Sequence, residues 1–191
     1  MTFMKIIPQN NVPEFSLPLP IFSSIHLADA IGRDGEEFSV FVGLVKKYAE
    51  QLKALALDES DVDLQKYTGD KERFGLGSYE DWYNKNRTPF ALVHKQSDAL
   101  AALVWFGPRP LFADENYWQT AAWRSYGPFR GKGIMRNFAQ FAMEIYRKSF
   151  PDAKFWIALK RDNKGSAQLA VNLDFQVLEE ASDDVRVVMV R

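Results

Sequence analysis

The stretch Tyr126-Gly127-Pro128-Phe129-Arg130-Gly131-Lys132-Gly133-Ile134-Met135-Arg136 interleaves Gly131 and Gly133 with Arg130 and Lys132, just ahead of a strongly apolar helical pattern. A helix start leaves its first backbone N–H groups without intrahelical partners, and these groups carry partial positive charge. Glycine lets a ligand approach such a backbone with no Cβ in the way. With a guanidinium and an ammonium nearby, the combination suits a polyanion, most naturally a pyrophosphate. A strand-to-helix turn that needs glycine for its own dihedral angles looks the same at this level. Two nucleotide chemistries lose support. The phosphate loop of nucleoside triphosphatases wants GxxxxGK followed by Ser or Thr, and the dinucleotide fingerprint wants a third glycine where Arg136 stands.

Few other residues offer reactive chemistry. The chain has no cysteine, which removes disulfides, thiol nucleophiles and thiolate-ligated metals together. Asp58-Glu59-Ser60-Asp61-Val62-Asp63 is acidic but lacks the glycine and terminal glutamate of a calcium loop. It reads as a solvated turn, and no metal is expected. Asp114 and Glu115 precede an expected strand, where either acts as a base through water or simply solvates a loop. His26 and His94 end expected strands and read as structural. Net charge is −1 over 191 residues, so nothing favours nucleic acid as a partner. The N-terminus MTFMKIIPQNNVPEF breaks at Pro8 without a continuous apolar run and does not read as a signal peptide. No stretch reaches the roughly 18 apolar residues of a membrane span. A soluble, cytoplasmic protein is expected.

The elements that must hold the glycine stretch follow from periodicity and punctuation. Pro8, Pro13, Pro18 and Pro20 mark residues 1–20 as a proline-rich arm or edge strand, followed by a short strand over Ile21–Leu27. From Asp34-Gly35-Glu36-Glu37, apolar residues Phe38, Phe41, Val42, Val45, Tyr48, Leu52 and Leu55 recur at helical spacing and predict a helix ending near Leu57. Ser78 caps a short helix. Phe90–His94 and Ala99–Phe106 form a hairpin around Gln96-Ser97-Asp98, and a third strand covers Tyr117–Ser125. After the glycine stretch, Ile134, Phe138, Phe141, Ala142 and Ile145 line one helical face, with Arg147 and Lys148 in the last turn and Pro151 beyond. Lys154–Leu159 reads as a strand, Asn163–Asn172 as a helix, and Gln176–Glu179 with Val185–Val190 as a closing strand pair.

In this setting Arg130-Gly131-Lys132-Gly133-Ile134 resembles the acyl-CoA loop of the GCN5-related N-acetyltransferase (GNAT) family, whose signature is Arg/Gln-x-x-Gly-x-Gly/Ala between a central strand and a helix. Arg130 and Gly133 match; Met135 stands where Gly or Ala is usual. A second segment, Asn163-Lys164-Gly165-Ser166-Ala167-Gln168-Leu169 followed by Leu173-Asp174-Phe175, is similar to the family's Asn, then Ala or Ser, then an apolar residue, then Gly-Phe. Asn163, Ser166, Leu169 and Phe175 fit, and Asp174 replaces the glycine. The likeness covers residues 85–191; the first eighty fit loosely.

The resemblance implies an α+β fold, one domain over residues 1–191 with a single mixed, centrally splayed β-sheet flanked by helices. It implies acetyl-CoA as acyl donor, wedged between Tyr117–Ser125 and Lys154–Leu159. Its pantetheine arm would run along the backbone of Trp123, Arg124 and Ser125, and its pyrophosphate would sit on the amides of Arg130, Gly131, Lys132, Gly133, Ile134 and Met135. Asn163 and Ser166 would face the arm near the sulfur. The implied reaction is direct transfer of an acetyl group to a small-molecule or peptide amine, with Tyr126 as proton donor and Glu115 as base; a homodimer is an open assembly. The family's usual tyrosine position is occupied by Ala170, which supports the alternative of a non-catalytic CoA-binding sensor or regulatory module. Arg124 is placed to recognise an acidic substrate group. Trp82, Tyr83, Trp105, Phe106, Trp118 and Trp123 either shape an acceptor pocket or fill the core.

Overall fold

The structure, a computed structural model, describes residues 3–112 and 118–191. Strand β1 (Lys5–Pro8) is an edge strand, as the prolines suggest, and lies antiparallel to β2 (Ile25–Ile31) with Lys5 opposite Ile31. The expected helix over residues 34–57 divides in two. Asp34-Gly35 is a turn, with Gly35 at φ +84°, and β3 (Glu37–Val42) follows before α1 (Lys46–Leu57). Phe38, Val40 and Val42 are fully buried and alternate along β3. Over six residues with β-branched members, period two fits as well as period 3.6, and sheet pairing decides. Gly43, at φ +79°, separates strand from helix; a Cβ there would stand 2.2 Å from the Ser23 carbonyl.

The acidic turn leads into a helix that periodicity did not reveal, α2 (Val62–Tyr67), capped by Asp61, which accepts from the Leu64 amide at 3.0 Å. A π-helical turn over Lys71–Gly75 and α3 (Tyr79–Tyr83) follow, the latter capped by Ser78 as expected. Then come β4 (Thr88–His94), β5 (Ala99–Pro108) and β6 (Trp118–Ser125). Helix α4 (Met135–Ser149), β7 (Lys154–Lys160), α5 (Lys164–Asn172), β8 (Gln176–Val177) and β9 (Arg186–Val190) complete the described elements.

The described strands form one sheet ordered β1-β2-β3-β4-β5-β6-β7-β9-β8. Every neighbouring pair is antiparallel except β6–β7. Phe38, Phe106, Phe138, Tyr146 and Phe155 belong to the core beneath α4. Leu52, Phe74, Trp82, Leu103 and Trp105 belong to the core beneath α1 and α3. Residues that alternate along β6 therefore serve different faces: Trp123 belongs to the α4 side, whereas Tyr126 belongs to the α1 side. No helix among the described residues is long and apolar enough to cross a membrane.

Candidate functional site

The parallel pair β6–β7 stays joined only through Trp118–Lys154, Gln119–Phe155 and Thr120–Trp156. Beyond that point β6 continues against β5 as far as Ser125, and β7 continues against β9 as far as Lys160. Each strand keeps its outer partner and loses its inner one, so the sheet opens into a V. The Tyr126 N–H donates to the Ala101 carbonyl at 2.9 Å. Strand alternation then turns the amides of Trp123 and Ser125 into the gap. Their carbonyls face the same way: Trp123 O accepts from the Arg124 side chain at 2.8 Å, and Ser125 O from Arg130 at 3.0 Å. The main chain of Arg124 faces β5, so of the three β6 residues expected along the arm it is Trp123 and Ser125 that turn backbone toward the gap.

At the open end of β6 lies the glycine stretch. The amides of Phe129 and Arg130 both donate to Tyr126 O, at 2.8 and 3.1 Å, and that of Lys132 to Phe129 O at 3.3 Å. Those of Gly131, Gly133 and Ile134 have no acceptor among the described residues. No side chain caps α4, whose N-cap is Ile134, so its first-turn amides add to the set. Gly131 and Gly133 sit at φ +81° and +74°. The glycines thus satisfy the turn's own geometry and leave amides open, and the two sequence readings coincide. Arg130 and Lys132 contribute side-chain charge differently from the expectation. Lys132 Nζ lies 2.5 Å from Glu36 Oε1 and 3.3 Å from Asp34 Oδ2, held by the β2–β3 turn, and its side chain does not line the cleft. Arg130 is paired with Asp61 through contacts of 2.8 and 2.6 Å.

Charge over the loop comes instead from residues that sequence spacing did not mark. A Cβ on Gly133 would come within 3.3 Å of Arg33 Nε, and Arg33 and Arg136 both line the cleft. Arg33 reaches the loop only because the β2–β3 hairpin folds against it, a contact about which the local sequence carries no signal. The cleft runs from this loop through the gap and encloses about 1890 Å³, well above the roughly 300–1,000 Å³ usual for one small ligand. Met135 lines it without sealing it.

The opposite wall is β7 with the start of α5. Asn163 caps that helix, accepting from the Ser166 amide at 3.1 Å. The Ser166 hydroxyl accepts from Trp123 Nε1 at 2.8 Å, tying α5 to β6. Asn163 and Ser166 both line the cleft. Ala170 is fully buried in the same core as Leu173 and Phe175.

Tyr126 does not occupy the position expected of a proton donor. It is 1% exposed and its hydroxyl is buried without a hydrogen-bond partner among the described residues. Burial pushes its pKa up, and the charge of Asp70 adds to the effect. It does not line the cleft. Glu115 and Asp114 lie outside the described residues, as does Tyr117. His94, its ring packed at a tilt against Phe38 and Phe129 and bonded through Nδ1 to Ser97, does not line the cleft either; nor does His26, bonded to the Ala28 carbonyl.

Two features close over the α1 side of the gap. Asp70, 1% exposed, holds Arg124 at 2.6 and 2.9 Å and Arg73 at 2.6 Å. Burial works against the charge of Arg124, but the Asp70 carboxylate outweighs it and raises the pKa. Helix α2 then spans the mouth of the V. Asp61 fastens one end to Arg130 after β6; at the other, Lys66 pairs with Asp162 at 2.7 Å and its carbonyl accepts from Lys160 Nζ at 2.6 Å.

No protein-family model matches the chain, and no curated protein matches it either. Solved structures do. The GNAT domain of PAT from S. lividans superimposes with TM-score 0.64 at 15% identity, covering 86% of this chain and 95% of that one. A ribosomal-protein-S5-alanine acetyltransferase from Vibrio fischeri gives 0.58 at 16%, over 80% and 92%. The microcin C7 self-immunity acetyltransferase MccE, in complex with acetyl-CoA and AMP, gives 0.56 at 19%, over 80% and 91%. The splayed parallel pair, the glycine loop at its mouth and these superpositions together establish that the chain has the acyl-CoA N-acyltransferase fold of the GNAT proteins.

Proposed function

We propose that this protein is an acyl-CoA-dependent N-acyltransferase that moves an acetyl group directly from acetyl-CoA to an amine. The observation that carries the reading is the continuity of free backbone. Open amides at Gly131, Gly133 and Ile134 lead into a gap where Trp123 and Ser125 present main chain that no neighbouring strand satisfies. That sequence of donors suits a diphosphate followed by an extended amide-containing arm. The acetyl-CoA complex of MccE, which has the same fold, supports the choice of donor. The acceptor is a small-molecule or peptide amine.

In the reaction a neutral amine forms the new C–N bond, the C–S bond breaks with its electron pair on sulfur, and one proton leaves nitrogen while one reaches sulfur. The chain's contribution is placement and polarity. A gap-facing amide of β6 donates to the thioester oxygen as charge gathers there. The walls hold donor and amine in one cavity, converting a bimolecular encounter into a local one. With Tyr126 turned into the core, the thiolate takes its proton from water entering the open cleft.

Titration of acetyl-CoA by calorimetry tests the reading: saturable binding at one site is expected, and none at high micromolar concentration ends it. Gly133→Val should weaken binding at least tenfold, because it forces a branched residue to φ +74° and pushes on Arg33. Burial of Ala170 in place of the family's usual tyrosine favours a second reading, a CoA-binding sensor. Thiol release across a panel of amines separates the two, since a sensor binds without turnover.

A further inference from the structure

Four arginines line the cleft: Arg87 and Arg109 at the joined end of the V, opposite the glycine loop, and Arg124 with Arg73 further along β6 toward its open end. Arg73 and Arg124 share the single carboxylate of Asp70. Among the described residues, Arg87 and Arg109 have no carboxylate partner, and Arg87 Nη1 is buried with no hydrogen-bond partner. Burial lowers the Arg87 pKa, and the charges of Arg109 and Arg73 lower it further. The backbone makes room for this: a Cβ on Gly107 would stand 2.6 Å from Arg87 Nη1. Around the guanidinium groups are flat aromatic faces. Arg124 lies 4.7 Å from the centre of Trp105, and Arg109 lies 5.3 Å from that of Trp156. The four arginines, Trp105 and Trp156 line the cleft.

A buried donor left without an acceptor is costly, because its desolvation is not compensated. It is retained where a ligand supplies the missing acceptor. Guanidinium forks match a planar carboxylate through two parallel hydrogen bonds. Topology puts the cluster beside the reacting region: Arg87 precedes β4 and Arg109 follows β5, at the sheet end where Gly107 pairs with Thr120 and Thr120 with Trp156. A donor entering at the glycine loop and running along β6 brings its thioester toward this end.

We infer that the Arg87–Arg109 cluster is an anion-recognition subsite for the acceptor, and that the amine this protein acylates carries a carboxylate. The inference rests on the acyltransferase reading for the reaction but not for the subsite itself. A polycationic amine would meet like charge there and be rejected.

Two measurements test it. In thiol-release assays with acetyl-CoA, amino acids are compared with their carboxamides, with phosphoethanolamine and with spermidine. The acids should show a KM at least about tenfold below that of the amides, and Arg87→Met should abolish the difference while leaving acetyl-CoA binding unchanged. Equal KM values for acid and amide, or a preference for phosphoethanolamine or spermidine, overturn the carboxylate assignment. Independently of turnover, succinate titrated against tryptophan fluorescence should give saturable quenching that succinamide does not, with loss in both Arg87→Met and Arg109→Gln. Succinate should raise the melting midpoint of the wild type only. Arg87→Met should itself melt no lower than wild type, whereas a structural arginine would leave it destabilised. If acetyl-CoA fails to bind while succinate binding depends on Arg87, the transferase reading falls and the subsite stands. If acetyl-CoA binds and succinate does not, the reverse holds.

Discussion

Single side chains at this site are set by what surrounds them, and Asp70 shows it most directly. It is nearly inaccessible and neutralises two arginines, one of them largely buried. Asp70→Asn keeps the shape and some hydrogen bonds but leaves Arg124 as an uncompensated charge beneath Trp105. Removing one partner of such a pair costs about 3–5 kcal/mol. Urea denaturation should show a loss of that order, and a change under about 1 kcal/mol would mean that water already reaches Arg124. Charge partners of this kind explain why side-chain roles were harder to read than backbone roles. Lys132 stands beside a glycine like a phosphate ligand, yet Glu36 and Asp34 draw it away. The tyrosine chosen for its nearness in sequence to the loop points into the core instead. Spacing places a residue along the chain; which face it takes depends on elements elsewhere.

Among elements, α2 has the clearest consequence. It straps the two diverging strands, and one of its fastenings, Asp61–Arg130, occupies the guanidinium of a residue in the glycine stretch itself. A carboxylate there competes with an incoming diphosphate. Asp61→Asn removes the charge but keeps the cap on α2, since asparagine caps as well as aspartate. Partly exposed pairs are worth about 0.2–1 kcal/mol, so acetyl-CoA should bind up to about fivefold more tightly with thermal stability little changed. Weaker binding in calorimetry would mean that the strap clamps the donor instead of competing with it. This helix was invisible in the sequence because six residues hold too little periodicity to detect. The long elements were legible: α4 with its basic last turn, the hairpin from β4 to β5, and α5 behind Asn163 all stand within a residue or two of their expected bounds. The stretch after Asp34 was misassigned because Phe38, Phe41 and Val42 satisfy a helical period within a strand. Only pairing of β3 with β2 and β4, long-range information, resolves it.

For the whole molecule, ionisation sets a stability window whose two edges have different origins. Carboxylates held by cations define the acid edge. Hydrogen bonds from Arg130 to Asp61 and from Lys95 to Asp29 lower both pKa values, against a smaller opposing effect of burial. A carboxyl whose folded pKa lies below its unfolded value contributes stability that is complete above about pH 4 and lost as pH falls through the depressed folded value. Buried phenols define the alkaline edge. Burial raises the pKa of Tyr79, Tyr126 and Tyr146. In the unfolded chain they ionise near pH 10, so above that point the unfolded state releases protons that the folded state keeps, and stability falls with rising pH. Melting midpoints measured from pH 3 to pH 11 should therefore form a plateau between about pH 5 and 9, with a fall on each side. Tyr126→Phe sharpens the test, because it removes an unpartnered buried hydroxyl together with one alkaline titration. Its midpoint at pH 7 should be unchanged or higher, and its decline above pH 10 shallower than that of the wild type. A steeper decline, or a lower midpoint at neutral pH, would show that the hydroxyl has a partner and that Tyr126 is open to the cleft after all.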